Sequence, residues 1–316
     1  MSLGGSSRLE QSQYKQVFAD IALLFVAFVW GITFVVVKEA LTDIGPYYFL
    51  AIRFGIAFLF LALICWRSFL NVNRSCLTGG LFIGLALFGG YAFQTVALQY
   101  TSAANAGFIT GLSVVLVPVF AAFLTRVIPS PITAIGVASA TVGLGLLAVQ
   151  GDFTFNYGDI LVFMCAVCFA THIILVGRYA PCFDPVMLAI IQIGTVGLIS
   201  ALIAPCVEAF PLELTRSVQI ALLATAIPAT TLAFLIQNWA QKFTSPTHTA
   251  IIFTMEPVFA GLAAWLWAGE ILGARQWIGG ALIVVGMLIT VVKITEHQNT
   301  VKHMEGAPRQ KDVRAG

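Results

Sequence analysis

Arg53 and Glu256 are ionisable side chains set inside long apolar runs. A charge in such a place is costly and normally faces a partner or a water-filled cavity. Arg53 follows Pro46 by seven residues, which places it about 10 Å into its run at 1.5 Å per helical residue. Glu256 lies about 15 Å in from the opposite boundary of its own run. The depths are close, and two arrangements fit. The residues form an ion pair that lines or gates a cavity, or Arg53 snorkels to the nearer interface while a neutral Glu256 caps a helix break.

Other polar and aromatic residues recur at helical spacing around them. Tyr91 precedes Gln94 by three positions and Phe234 precedes Gln237 likewise, so each pair shares a helical face. An aromatic ring beside an amide suits a small ligand with a polar head and an apolar body; interhelical hydrogen bonds would use the same amides. Trp30 with Thr33, and Phe169 with His172, share faces in the same way. His172 is the group whose titration could couple a process to protons, against the plainer reading of a hydrogen-bonded imidazole. Pro118 and Pro257 each remove a backbone donor within a run, freeing the carbonyls of Val114 and Phe253, which makes them hinge candidates or static bends. Asp20 and Asp159 stand at run entrances and suit N-cap service. Cys165 and Cys168 sit mid-run without a second ligand pair and read as packed thiols. The sequence offers no His/Asp metal cluster or Ser/Lys dyad, and the Gly-x-Gly at 143–145 lies in an apolar run rather than at a strand-to-helix turn. Neither an enzyme, a cofactor, a metal site nor a nucleic-acid partner is expected. The partners are a small-molecule substrate and the lipid bilayer, with protons as a coupling option.

The elements that hold these residues follow from composition. Charged residues make up 9% of the chain against 59% hydrophobic, at a mean hydropathy of +0.95, whereas soluble domains carry roughly 25% charged. The apolar excess must face lipid. Ten runs approach the roughly 20 residues needed to span a bilayer: 20–37, 47–66, 78–97, 103–124, 132–149, 160–176, 186–204, 218–238, 246–267 and 275–292. Lipid offers no hydrogen-bond partner, so each must be helical, and runs such as 21–30 lack the alternation of a β-barrel strand. The first run exceeds a signal-peptide core, and no cleavable leader is expected. With the N-terminus inside, the inner segments hold Arg8, Lys15, Arg67, Arg74, Arg126, Arg178, Lys242 and, in the C-terminal stretch, Lys293, Lys302, Arg309, Lys311 and Arg314, while the outer loops keep Lys38, Arg216 and Arg275. That asymmetry puts both termini in the cytoplasm.

The chain also repeats itself. At an offset of 139, Asp20 falls on Asp159, Trp30 on Phe169, Pro46 on Pro185, Gly55 on Gly194 and Pro118 on Pro257; at 143, Gln94 falls on Gln237, Thr101 on Thr244, Gly136 on Gly279 and Gly143 on Gly286. The expected fold is an all-α polytopic membrane protein, ten transmembrane helices as two inverted five-helix repeats. Residues 1–17 form an N-terminal tail, 18–150 and 151–293 the repeats, and 294–316 a disordered C-terminal tail. Five spans is an odd number, so the second unit enters from the opposite face, the construction common among secondary transporters.

The ordered motifs Trp30-Gly31-x-x-Phe34-x-x-x-Lys38, Pro46 with Arg53-Phe54 and Ala57, Ala97-Leu98-Gln99-Tyr100-Thr101-Ser102-Ala103, Glu256-Pro257-Val258, Trp267-x-x-Glu270, and Gly279 with Gly286 resemble the drug/metabolite transporter superfamily, in particular its EamA-type ten-span permeases. The resemblance covers about residues 18–293. It implies export or exchange of a small metabolite such as an amino acid across the bacterial cytoplasmic membrane, by alternating access. Arg126 departs from the Glu that such repeats often carry, and His172 departs from the usual small or aromatic residue. A nucleotide-sugar or lipid-like carrier is the alternative; it would need several buried cations, where Arg53 is the clear one.

Overall fold

The computed structural model describes residues 3–101, 103–148, 157–267 and 273–306. They are helical throughout, with no strand among the described residues. In chain order the helices are α1 (Leu3–Ala40), α2 (Pro46–Ile64), α3 (Arg74–Ala97), α4 (Ala103–Gly111), α5 (Ser113–Thr125), α6 (Pro131–Ala148), α7 (Tyr157–Tyr179), α8 (Pro185–Val207), α9 (Arg216–Ala226), α10 (Ala233–Ala240), α11 (Pro246–Phe253), α12 (Met255–Trp267) and α13 (Ala274–Gly306). A short 3-10 segment, Trp66–Asn71, precedes α3, and a π-helical segment, Ile227–Leu232, joins α9 to α10. Each of the ten apolar runs falls on one helix or on consecutive helices. Seven stretches among the described residues are long and apolar enough to cross a membrane: Tyr14–Ala40, Pro46–Ile64, Arg74–Ala97, Ala106–Thr125, Tyr157–Tyr179, Pro185–Val207 and Arg216–Ala240. Pro131–Leu146 and Ala274–Thr290 are shorter apolar helices.

Local chemistry sets the starts. Pro46, Pro185 and Pro246 occupy the first helical turn, where a missing N–H costs nothing. Asn73 accepts from the Cys76 N–H at 2.7 Å, Asp184 from Val186 at 3.0 Å and Ser245 from His248 at 3.3 Å, each satisfying an orphan donor. The sequence reading is corrected at both ends of the chain: helix begins at Leu3 and continues to Gly306, within stretches expected to be tails. Neither stretch contains a proline before Gly306, so a helix already formed by its apolar part propagates.

Bundle packing is close where glycines remove side chains. α2 lies on α8, α3 on α7 and α8, α1 on α9, α10 and α12, and α6 on α13. At the α6–α13 crossing a Cβ on Gly143 would stand 2.5 Å from the Gly279 carbonyl oxygen, and one on Gly286 2.6 Å from that of Gly136. The backbones therefore touch, as small residues allow in membrane bundles.

Two ends of the bundle are defined by the contacts between its turns. At one end Thr215 Oγ1 donates to Asp43 (2.6 Å), Glu208 accepts from the N–H groups of Tyr47 (2.8 Å) and Tyr48 (3.0 Å), Lys38 Nζ reaches the Thr101 carbonyl (3.4 Å) and Thr101 Oγ1 donates to Asp159 (2.7 Å). From Asp159, α7 carries the chain through most of its 23 residues to the other end, where Gly177 abuts Pro246 and His248 Nε2 lies 3.2 Å from Asp20 Oδ1. These are the Asp43 end and the Cys182 end below.

Candidate functional site

Midway along the bundle the helices stop being regular. α4 gives way to α5 at Leu112, and α11 to α12 at Thr254; both residues have nearly the same backbone, φ −61°, ψ −12° and φ −64°, ψ −10°. Each N–H turns to the carbonyl three residues back, Ile109 at 3.1 Å and Ile251 at 3.2 Å. The second break coincides with the carbonyl of Phe253 that Pro257 leaves without a donor. Pro118 does not coincide with the first: it lies inside α5, past the break.

Around these breaks lies a cavity of about 90 Å³. Its wall contains all ten side chains singled out in the sequence: Trp30, Thr33, Arg53, Tyr91, Gln94, Phe169, His172, Phe234, Gln237 and Glu256. Pro257 also lines it; Pro118 does not. Val37, Leu98 and Gly107 carry the wall toward the Asp43 end, whereas in the other direction it reaches Ile173 and Gln237.

Arg53 is 4% exposed and tightly held. Its Nε donates to Thr230 Oγ1 at 2.8 Å, and its Nη2 to the Ala229 carbonyl at 3.3 Å and to the Tyr91 hydroxyl at 3.4 Å. The guanidinium also lies 4.9 Å from the centre of the Tyr91 ring and 5.4 Å from that of Phe54, within cation–π range. Two of these acceptors come from the π-helical segment. Its wider turn directs the Thr230 and Thr231 hydroxyls to the carbonyls five residues back, Thr225 at 2.8 Å and Ala226 at 3.0 Å, and leaves the Ala229 carbonyl free for outside donors. Trp30 Nε1 is the second of those donors, at 2.8 Å.

The expected pairing of Arg53 with Glu256 is not formed. Among the described residues no ion pair joins them, and the Glu256 carboxylate has no hydrogen-bond partner there. Similar depth along two helices fixes height but not direction around the axis, so the charges share a cavity without touching. Nor does Arg53 snorkel; its partners lie within the bundle. Glu256 is brought in by Gly31, whose missing Cβ would stand 2.5 Å from the Glu256 carbonyl oxygen.

The rest of the wall is aromatic and amide. Phe234 is its hub, with ring centres 5.8 Å from Trp30, 6.3 Å from Tyr91 and 5.8 Å from His172. The His172 Nε2 lies 2.8 Å from Gln192 Oε1, so the imidazole is hydrogen-bonded. Gln94 Nε2 reaches Thr110 Oγ1 at 3.4 Å, and Gln237 Nε2 donates to Gln241 at 3.1 Å while its Oε1 has no partner. Thr33 bonds only its own helix backbone, at Val29 and Trp30. Sequence reasoning missed Thr230, Ala229, Gln192 and Phe253. Pro228 inside an apolar run was the available signal for the first two, and a lone mid-run amide for the third.

The EamA-like transporter family matches twice along the chain, over residues 17–149 and 156–292. An uncharacterized transporter of Archaeoglobus fulgidus is 37% identical over 281 residues, covering 89% of this chain and 88% of the relative. The uncharacterized transporter YyaM of Bacillus subtilis is 23% identical over 298 residues, covering 90% and 97%. A protein of known crystal structure superposes with a TM-score of 0.74 at 21% identity, over 88% of this chain and 97% of that one, a likeness of fold. The chain belongs to the EamA-like transporter family and is a multi-pass membrane transporter.

Proposed function

We propose that the protein is a secondary transporter which moves small metabolites such as amino acids by alternating access, with the cavity between α4–α5 and α11–α12 as its substrate site. Ten spans form two inverted five-helix units, in which α4–α5, α9–α10 and α11–α12 each serve as one span. The observation that carries this reading is the pair of helix breaks at Leu112 and Thr254, one in each family match and within one residue of each other at the repeat offset of 143, on either side of one central cavity.

Exchange of the halves also relates the glycine contacts. The repeat equates Gly136 with Gly279 and Gly143 with Gly286, while the close approaches are Gly136 to Gly286 and Gly143 to Gly279. Each contact thus maps onto the other. Two units that pack in equivalent ways can trade shapes, moving the opening from one face to the other. The loop charges favour a cytoplasmic membrane with both termini inside, and the resemblance to EamA-type permeases favours export or exchange as the direction. The described residues of the cavity wall hold one buried cation, Arg53, which disfavours a phosphate-bearing nucleotide-sugar.

The test is flux into proteoliposomes across an amino-acid panel, with and without a proton gradient. Saturable uptake of a few members that Arg53→Gln abolishes is expected; no flux of any small metabolite in oriented vesicles sinks the reading. Impermeant thiol labelling at residues 43 and 182 should reach the two from opposite faces.

A further inference from the structure

We infer that Arg53 and Glu256 are the two poles of one ligand site, Arg53 receiving a carboxylate and Glu256 an ammonium group, so that the substrate is a small zwitterion. The inference rests on the cavity being the transport site, and adds to it which charges the cargo carries and where they go.

A guanidinium buried among membrane helices is retained only with compensation. The partners of Arg53 are a hydroxyl, a phenol, a carbonyl and two aromatic faces, and none of them carries a negative charge. They occupy Nε and Nη2. Nη1, with two of the five donors of the fork, has no partner among the described residues. The cation is thus oriented by dipoles and left without its anion. Bidentate recognition of a carboxylate is what such a fork does best.

Glu256 presents the opposite case. Its carboxylate lines the same cavity with no donor and no cation bonded to it among the described residues. Had the pair been made for mutual neutralisation, the two would lie within bonding distance, and they do not. A cation without its anion and a carboxyl group without a donor, on one cavity wall, are matched by a ligand carrying both charges. The cavity is small, about 90 Å³, which suits an amino acid with a short side chain rather than a bulky ligand. Trp30, Phe234 and Phe253 line the same cavity and offer apolar surface for that side chain.

The experiment is equilibrium binding to the purified full-length protein in nanodiscs. Glycine, L-alanine, L-serine, L-threonine and L-valine are the zwitterions, and for the tightest of them the matching amide (a cation) and 2-hydroxy acid (an anion) are compared. In the wild type the zwitterion should bind on the order of tenfold or more tighter than either analogue. Arg53→Gln should erase the preference for acid over amide and keep the preference for amine over hydroxyl; Glu256→Gln should do the reverse. The inference is overturned if none of the five zwitterions binds, if either analogue matches the zwitterion in the wild type, or if each variant alters both preferences alike. The wild-type comparison keeps its force should a variant fail to fold. Selective binding with no flux in proteoliposomes would keep the poles and remove the transport reading.

Discussion

The two ends of the bundle are built from equivalent residues and closed in different ways. At the Cys182 end the helices pack closely. A Cβ on Gly177 would stand 2.5 Å from Pro246 Cγ, Gln241 Nε2 donates to the Ile173 carbonyl at 2.9 Å, and Thr244, His248 and Asn238 are buried. At the Asp43 end the equivalent of Gly177 is Lys38, that of Gln241 is Leu98, and a Cβ on Gly107 would meet nothing within 4 Å. The cavity wall follows this difference, reaching Val37, Leu98 and Gly107 on one side and stopping at Ile173 and Gln237 on the other. On the proposed inverted-repeat reading, one unit stands in an open arrangement and its equivalent in a closed one. Under alternating access the two arrangements exchange between ends, and the comparison becomes a set of mutational tests.

The largest effect belongs to Gly177→Leu. Pro246 is a ring at a helix start and cannot swing aside as a flexible chain end could, so α7 and α11 must separate. Overpacking of this kind costs about 1–3 kcal/mol, which lowers the ratio of closed to open at the Cys182 end by roughly 5- to 150-fold. Exchange flux should fall by a similar factor, and a cysteine placed at Thr110 should become reactive to impermeant reagents from the Cys182 side. Unchanged flux would mean that the Gly177–Pro246 contact is no gate.

A medium effect is expected from one substitution made at both ends. Thr101 Oγ1 donates to Asp159 at 2.7 Å, whereas its equivalent Thr244 has a buried hydroxyl without a partner, and Asp20, the equivalent of Asp159, has His248 Nε2 at 3.2 Å in place of a threonine donor. Hydrogen bonds to charged groups contribute about 1.5–3 kcal/mol. Thr101→Val should therefore destabilise the purified protein, while Thr244→Val should leave its melting temperature unchanged or raise it. Both should slow exchange, because in the other shape Thr244 would be the donor and Asp20 the acceptor. Equal destabilisation by both would show that the two ends do not differ in this bond.

How far the sequence revealed this site depends on the kind of information each part needs. Polar and aromatic residues in apolar runs stand out, and a spacing of three puts Trp30 with Thr33 or Tyr91 with Gln94 on one face; all ten such residues stand on the cavity wall. Helix positions were legible for the same reason, since lipid leaves the backbone one solution. Azimuth was not legible, and the Arg53–Glu256 pairing failed on it. The helix breaks were hidden too: Leu112 and Thr254 have no composition of their own, and Pro118 points past the first of them. The π-helical segment that holds Arg53 depends on a turn geometry that Pro228 signals only weakly.

The smallest effect is the sharpest check on exchange. Gly107 is in open space, so Gly107→Ala cannot disturb the arrangement seen, and alanine is worth up to about 1 kcal/mol over glycine within a helix. When the Asp43 end closes, residue 107 should take up the surroundings that Ala250 has at the closed end, where the equivalent methyl group is accommodated at 1% exposure. A methyl group at 107 should then fit both shapes. Flux is expected to persist, with a slightly higher melting temperature and with binding lowered only as far as the methyl group takes up cavity volume. A tenfold loss of flux with binding intact would mean that the closed Asp43 end has a different geometry from the closed Cys182 end, and that the two halves do not trade shapes.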